Sequence, residues 1–219
     1  MSVSGSYQLT PLQRDVLHAF FQRERGFFLT SGAALVGYYL HHRDTTGLDL
    51  FSTDDQAYAR GRHGLAGAAA MLGGTLEVRR DTPDFKRFAV GRGDELVVVD
   101  LVRDRVPQLH PDKIDMGGVL VDPLPEIAAN KLTTLVGRME ERDLVDLFVL
   151  ERAGTKIETL LVPALAKDGG CTPATLSWLL SEVQIPEGAR LPGGVDACEL
   201  RDWTAELVKR LRRAAAPRP

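Results

Sequence analysis

Four short stretches of the 219-residue sequence carry residue types that could do chemistry. Leu29-Thr30-Ser31-Gly32-Ala33-Ala34-Leu35 reads as a strand, a tight turn of small residues and a helix. Small side chains let a ligand approach the backbone, and a helix N-terminus offers unpaired N–H groups and partial positive charge that suit a phosphate. An ordinary strand–helix connection has the same composition. In Gly47-Leu48-Asp49-Leu50-Phe51, strand alternation points Asp49 away from the side taken by Leu48 and Leu50. A carboxylate in an apolar strand needs a cation, a metal or a hydrogen-bond donor, unless it caps a loop at the strand end. Leu96-Val97-Val98-Val99-Asp100-Leu101-Val102 makes the argument more strongly, because six apolar residues flank one Asp and a buried strand Asp is rare without a partner. On neighbouring strands, Asp49 and Asp100 would share one hard divalent cation. Mg²⁺ is the natural guest, since it takes oxygen ligands and substrate phosphates together. The structural alternative pairs Asp100 with Arg43, Arg103 or Lys131.

The fourth stretch is Glu126-Ile127-Ala128-Ala129-Asn130-Lys131-Leu132, followed by Arg142-Asp143-Leu144-Val145-Asp146-Leu147. Lys131 sits one turn from Ile127 at the edge of an apolar stripe, where an amine either snorkels or reaches into a cleft to hold a phosphate. Asp143 and Asp146 are three residues apart and share a helix face. Their structural alternatives are an N-cap for Asp143 and a bridge to Arg142 for Asp146.

The elements that must position these residues follow from periodicity and punctuation. Leu12, Val16, Leu17, Phe20 and Phe21 recur at helical spacing, which predicts a helix over Pro11 to Arg25 with Thr10 as N-cap and Gly26 as stop. A short strand at 27–30 leads through Ser31-Gly32 into a helix from Ala33 to His42. A strand over 48–52 and an Ala-rich helix over 56–72 come next. Strands at 75–79, 84–90 and 95–102 follow, the last two joined by the Gly91-Arg92-Gly93-Asp94 turn in a hairpin. Beyond Pro125 the pattern is helical, at 126–138, 143–153, 155–167, 173–183 and 198–214. The expected fold class is α+β, a mixed sheet to residue 120 and a helical domain over 121–219.

Composition bounds the rest. Apolar residues make up 44% and charged residues 26% of the chain, an ordinary globular balance. The two cysteines, Cys171 and Cys198, form neither a disulfide framework nor a metal knuckle, as expected in a reducing cytoplasm. The sequence has neither an 18-residue apolar run nor a charged n-region at its start, so neither a membrane span nor a secretory signal is expected. A net charge of −3 argues against wholesale coating of nucleic acid. Six basic and two acidic residues from Arg201 to Pro219 leave a local RNA contact open, against a helix end whose cations complement the dipole. His41, His42, His63 and His110 are scattered and show no zinc spacing.

Taken in order, the motifs resemble those of the AbiEii/AbiGii-like toxin family, in the polymerase-β-type nucleotidyltransferase superfamily. That family typically shows G-G-T-A-L, then H-R-x-[ST]-x-D-L-D-L-F, then A-x-K-L and R-D-L-x-D-L. This chain has Ser31-Gly32-Ala33-Ala34-Leu35, then His42-Arg43-Asp44-Thr45-Thr46-Gly47-Leu48-Asp49-Leu50-Phe51, then Ala129-Asn130-Lys131-Leu132 and Arg142-Asp143-Leu144-Val145-Asp146-Leu147. The resemblance covers residues 26 to 150 and implies a polymerase-β-like mixed sheet whose cleft the helical half completes. It further implies transfer of a nucleoside monophosphate from NTP to an acceptor hydroxyl, in a type IV toxin–antitoxin or phage-defence setting. Ser31, Gly32, Arg43 and Lys131 would bind the nucleotide, Asp49 and Asp100 would hold Mg²⁺ or Mn²⁺, and Lys131, Asp143 and Asp146 would complete the catalytic set. The implied partners are NTP, an RNA acceptor such as tRNA and a cognate antitoxin. Two positions depart from the pattern. Ser31 replaces the first Gly and remains small, whereas Gly47 stands where the first catalytic Asp belongs, with Asp44 three residues earlier as a substitute only if its loop bends inward. The competing functions are a nucleotide- or RNA-binding member without catalysis, and a non-enzymatic interaction protein.

Overall fold

The computed structural model describes residues 8–216. The architecture is α+β, a seven-stranded mixed sheet with flanking helices, followed by a helical C-terminal half. The chain divides into two units, residues 1–106 with 110–123, and residues 107–109 with 124–219.

The first unit begins with α1 (Pro11–Phe21). Thr10 and Gln13 form a reciprocal capping box and Pro11 opens the first turn, which satisfies otherwise orphaned N–H groups. The helix ends at Phe21, four residues before the expected Arg25. Strand β1 (Phe28–Leu29) leads into α2 (Ser31–Ala34), which runs on as a π-helical turn (Leu35–Tyr39). The expected helix over 33–42 is therefore displaced toward the N-terminus and is mostly not α-helical. Strand β2 (Gly47–Ser52) precedes α3 (Asp55–Met71), capped by Asp54, whose Oδ1 accepts from the N–H groups of Gln56 and Ala57. Strands β3 (Thr75–Asp81), β4 (Phe85–Arg92) and β5 (Glu95–Arg103) fall where alternation and the glycine turn predict. Two further strands, β6 (Ile114–Met116) and β7 (Val119–Val121), were not expected.

The sheet order is β3-β4-β5-β2-β1-β7-β6. β2 runs parallel to β5 and antiparallel to β1, and β1 runs parallel to β7. One face carries Leu48, Leu50, Phe88, Val90, Val97, Val99 and Leu101, all buried, with α1 and α3 packed on it. α3 lies so close that a Cβ on Gly61 would stand 2.6 Å from the Phe27 ring. That apolar layer orients the strands and commits the alternate residues of β2, β5 and β4 to the opposite face.

In the second unit, α4 (Leu124–Gly137) packs against α5 (Glu141–Arg152), α6 (Leu161–Lys167) and α7 (Pro173–Ser181). The expected helix over 155–167 is broken, a 3-10 turn (Ile157–Leu160) preceding α6. The last helix, α8 (Ala197–Ala215), is capped by Asp196 and packs on α7 and α5. Val145, Phe148, Ile185, Leu191, Ala197 and Leu200 form a core between α5 and α8, with Trp203 edge-on to Phe148. Among the described residues no helix is long and apolar enough to cross a membrane.

Candidate active site

The parallel register of β2 and β5 sets Asp49 directly opposite Asp100. Strands in a sheet lie about 4.8 Å apart, so two carboxylates share one rung of one face. Two negative charges at that spacing repel unless a cation stands beside them. The register of the hairpin supplies one, because Arg87 on β4 lies opposite Asp100. Its Nε and Nη2 donate to the two carboxylate oxygens of Asp100 at 2.8 and 2.7 Å. Hydrogen bonding to Asp100, with the charges of Asp100 and Asp49 adding to it, holds the Arg87 guanidinium above the ordinary arginine pKa. Asp100 therefore pairs with Arg87, not with Arg43, Arg103 or Lys131.

The small-residue turn adjoins this rung. The Thr30 N–H donates to the Asp49 carbonyl at 3.1 Å, so the backbone of the turn is tied to the strand that carries the carboxylate. Ser31 has a φ of 59°, a left-handed conformation that costs a non-glycine residue about 1–2 kcal/mol. Backbone shape as well as size therefore explains a glycine in the family pattern, and Ser31, though small, holds that left-handed backbone at a cost. At Gly32 a Cβ would come within 2.7 Å of Arg43 Nη2. The buried Arg43 packs its guanidinium against that bare backbone and donates through Nη1 to the Asp44 carbonyl at 2.9 Å. Asp44 itself is exposed. The first unit thus brings together Ser31, Gly32, Arg43, Asp49 and Asp100.

The remaining expected residues form a separate group within the helical unit. Lys131 Nζ lies 2.8 Å from Asp143 and 2.7 Å from Asp146, with the lysine side chain 3% exposed and both carboxylates fully buried. Arg138 adds a second cation, 3.2 Å from Asp143. Burial pushes the Asp143 carboxyl up, but the charges and hydrogen bonds of Lys131 and Arg138 outweigh it, and its pKa falls below the usual value. Asp143 is in the third position of α5, inside the helix, so it is not the N-cap; that place belongs to Glu140, which takes Arg142 at 2.6 Å. Nor does Lys131 snorkel. It is a buried amine between two carboxylates.

A site for two divalent cations needs carboxylates on both sides of the reacting phosphate. Gly47 offers none, and Arg87 engages both oxygens of Asp100. Among the described residues no group of three His, Cys, Asp or Glu side chains is arranged to hold a metal ion. The residues present do not fit a metal pair.

Sequence reasoning missed Arg87. Its signal was the two-residue turn Gly93-Asp94, since counting outward from the Arg92–Glu95 pair brings Arg87 opposite Asp100. The basic C-terminal segment is partly neutralised, with Arg210 held by Glu151 at 2.7 Å and Glu158 at 3.0 Å and Lys209 paired with Glu206. Arg212 and Arg213 lie in the last turn of α8, where cations favour the helix dipole. Arg218 lies outside the described residues.

The family model described as "Nucleotidyl transferase AbiEii toxin, Type IV TA system" matches residues 27–214, which include both the carboxylate rung and the lysine cluster. The chain belongs to the AbiEii family. Solved structures share its fold, among them JHP933 and MenT4. JHP933 from Helicobacter pylori is 18% identical with a TM-score of 0.54, covering 93% of this chain and 92% of that one. MenT4, the nucleotidyltransferase toxin Rv2826c of Mycobacterium tuberculosis H37Rv, is 16% identical with a TM-score of 0.54, covering 94% of this chain and 85% of the other. No curated protein matches this AbiEii sequence significantly. At such identities the likeness is one of fold.

Proposed function

We propose that this AbiEii protein is a cytoplasmic nucleotidyltransferase toxin of a type IV toxin–antitoxin or phage-defence system. It binds an NTP on the Asp49–Asp100 face and transfers NMP to an acceptor hydroxyl, with RNA such as tRNA as acceptor and an antitoxin as partner. The observation that carries the reading is the direct opposition of Asp49 and Asp100 on neighbouring strands, with the Ser31–Gly32 turn tied to the same rung. In the transfer, the acceptor oxygen forms a bond to the α-phosphorus, the bond to pyrophosphate breaks, and the hydroxyl proton passes to a carboxylate. Asp49 is the candidate acceptor of that proton. The backbone of Ser31 and Gly32 and the guanidinium of Arg43 supply donors and positive charge for the phosphates. Lys131, Asp143 and Asp146 form one buried ion cluster within the helical unit, and the family resemblance is what assigns them to the reaction.

The second reading, nucleotide or RNA binding without transfer, is favoured by Gly47 and by the Arg87–Asp100 pair. Incubation with each labelled NTP, total RNA and Mg²⁺ separates the two. Incorporation that disappears in Asp49→Asn supports transfer. Nucleotide binding by calorimetry with no incorporation, together with activity gained in Gly47→Asp, supports the second reading. Absence of both nucleotide binding and RNA binding overturns both.

A further inference from the structure

The Arg87–Asp100 pair bears on how many cations the site accepts. The contact is bidentate, and backbone register sets it, since Arg87 and Asp100 are direct partners in the β4–β5 ladder. The Asp100 side chain is 11% exposed and the Arg87 side chain 50% exposed, so the arginine lies on the solvent side of the acid. A guanidinium fork occupies one lone pair on each carboxylate oxygen, the two positions through which a chelating cation would bind. Its charge also repels such a cation. At about 5 Å in water-like dielectric, the repulsion between single and double positive charges weakens binding roughly tenfold. Asp49 contributes to the field that holds the guanidinium in place. Gly47 meanwhile removes the carboxylate that would draw in a further cation.

We propose that Arg87 is a resident counter-cation that reserves Asp100, so that the residues of this face do not fit the two-cation site the family pattern implies and accept at most one divalent cation. The inference rests on the reading of this face as the nucleotide site, but its test needs no nucleotide. Mn²⁺ alone is titrated into the whole protein and free Mn²⁺ is followed by electron paramagnetic resonance. Sites on the rung are counted as the difference from the Asp49→Asn/Asp100→Asn double variant. The wild-type protein shows no more than one such site. Arg87→Gln binds Mn²⁺ about tenfold more tightly, and adding Asp100→Asn cancels that gain. Arg87→Lys keeps the charge and stays within about threefold of wild type, which separates loss of charge from loss of the fork. Thermal unfolding followed by circular dichroism verifies that each variant is folded. Two rung sites in the wild type, an unchanged affinity in Arg87→Gln, or an equal gain in Arg87→Lys overturns the proposal. Failure of nucleotide incorporation counts against the proposed function and leaves the Mn²⁺ count untouched.

Discussion

Replacing Lys131 by methionine removes the cation that lies 2.8 Å from Asp143 and 2.7 Å from Asp146 while nearly preserving side-chain volume. Breaking a buried ion pair from one side costs about 3–5 kcal/mol, because the remaining charge stays desolvated. Arg138 still touches Asp143 at 3.2 Å, which places the expected loss at the lower end, about 3 kcal/mol. Both tryptophans, Trp178 and Trp203, belong to the helical unit, so their fluorescence during urea titration follows the unfolding of that unit. With a urea dependence of about 2 kcal/mol per molar, the midpoint falls by about 1.5 M. The folded pKa of Asp143 lies below its unfolded value, so its stabilisation is fully present above the unfolded carboxylate pKa and disappears as pH falls through the folded one. The gap between wild type and Lys131→Met therefore narrows below about pH 4. Lys131→Met/Asp143→Leu/Asp146→Leu recovers most of the stability, since no charge remains to be compensated. A loss under about 1 kcal/mol at pH 7, or a gap of the same size at pH 3, refutes the assignment of these three residues as a coupled buried cluster.

Three other perturbations test separate parts of the molecule. Ser31→Gly relieves the left-handed strain, less the added chain entropy, and stabilises by about 0.5–1 kcal/mol, whereas Ser31→Val destabilises by about 1–2 kcal/mol; thermal melts of the two variants must move in opposite directions. Burial, with the Asp168 charge behind it, pushes the Cys171 thiol up to about 11, while Cys198 is exposed. At pH 8 a disulfide reagent accordingly titrates one thiol at once and the second only in urea, and equal rates would contradict the placement of Cys171. Gly47→Asp fits the strand with a shift of a few tenths of an ångström, because its Cβ would stand 3.3 Å from the Val98 carbonyl oxygen. The variant should fold, and circular dichroism showing loss of the sheet would count against the described register.

Much of the sheet was legible because its strands are long enough for alternation to register and because the Gly93-Asp94 turn sets the hairpin. The three-residue strands β6 and β7 are too short to show a period. The π-helical turn at Leu35–Tyr39 escaped because apolar spacing cannot tell one helical hydrogen-bond offset from another. Asp49 and Asp100 could be found from the cost of an acid among apolar residues, and they do face each other. Lys131 was misread as a stripe-edge residue, since spacing along α4 says nothing of the carboxylates that α5 brings over it. Arg87 was passed over for the same reason. Its importance comes from the neighbour across the ladder, which shows only when the hairpin is counted outward from the Arg92–Glu95 pair.

The two-residue strand β1 is a narrow seam. One bridge pair, Leu29 with Val121, and the Asp122 N–H donated to the Leu29 carbonyl fasten the β6–β7 hairpin to β1. The backbone join is short, and Arg25 bonded to Asp115 and the Tyr39 hydroxyl bonded to the Asp122 carbonyl reinforce it. The turn at Ser31 begins two residues after Leu29, and whatever grips that turn also steadies the seam. Slower deuterium uptake at the Asp122 amide would thus record occupancy from the far side of β1.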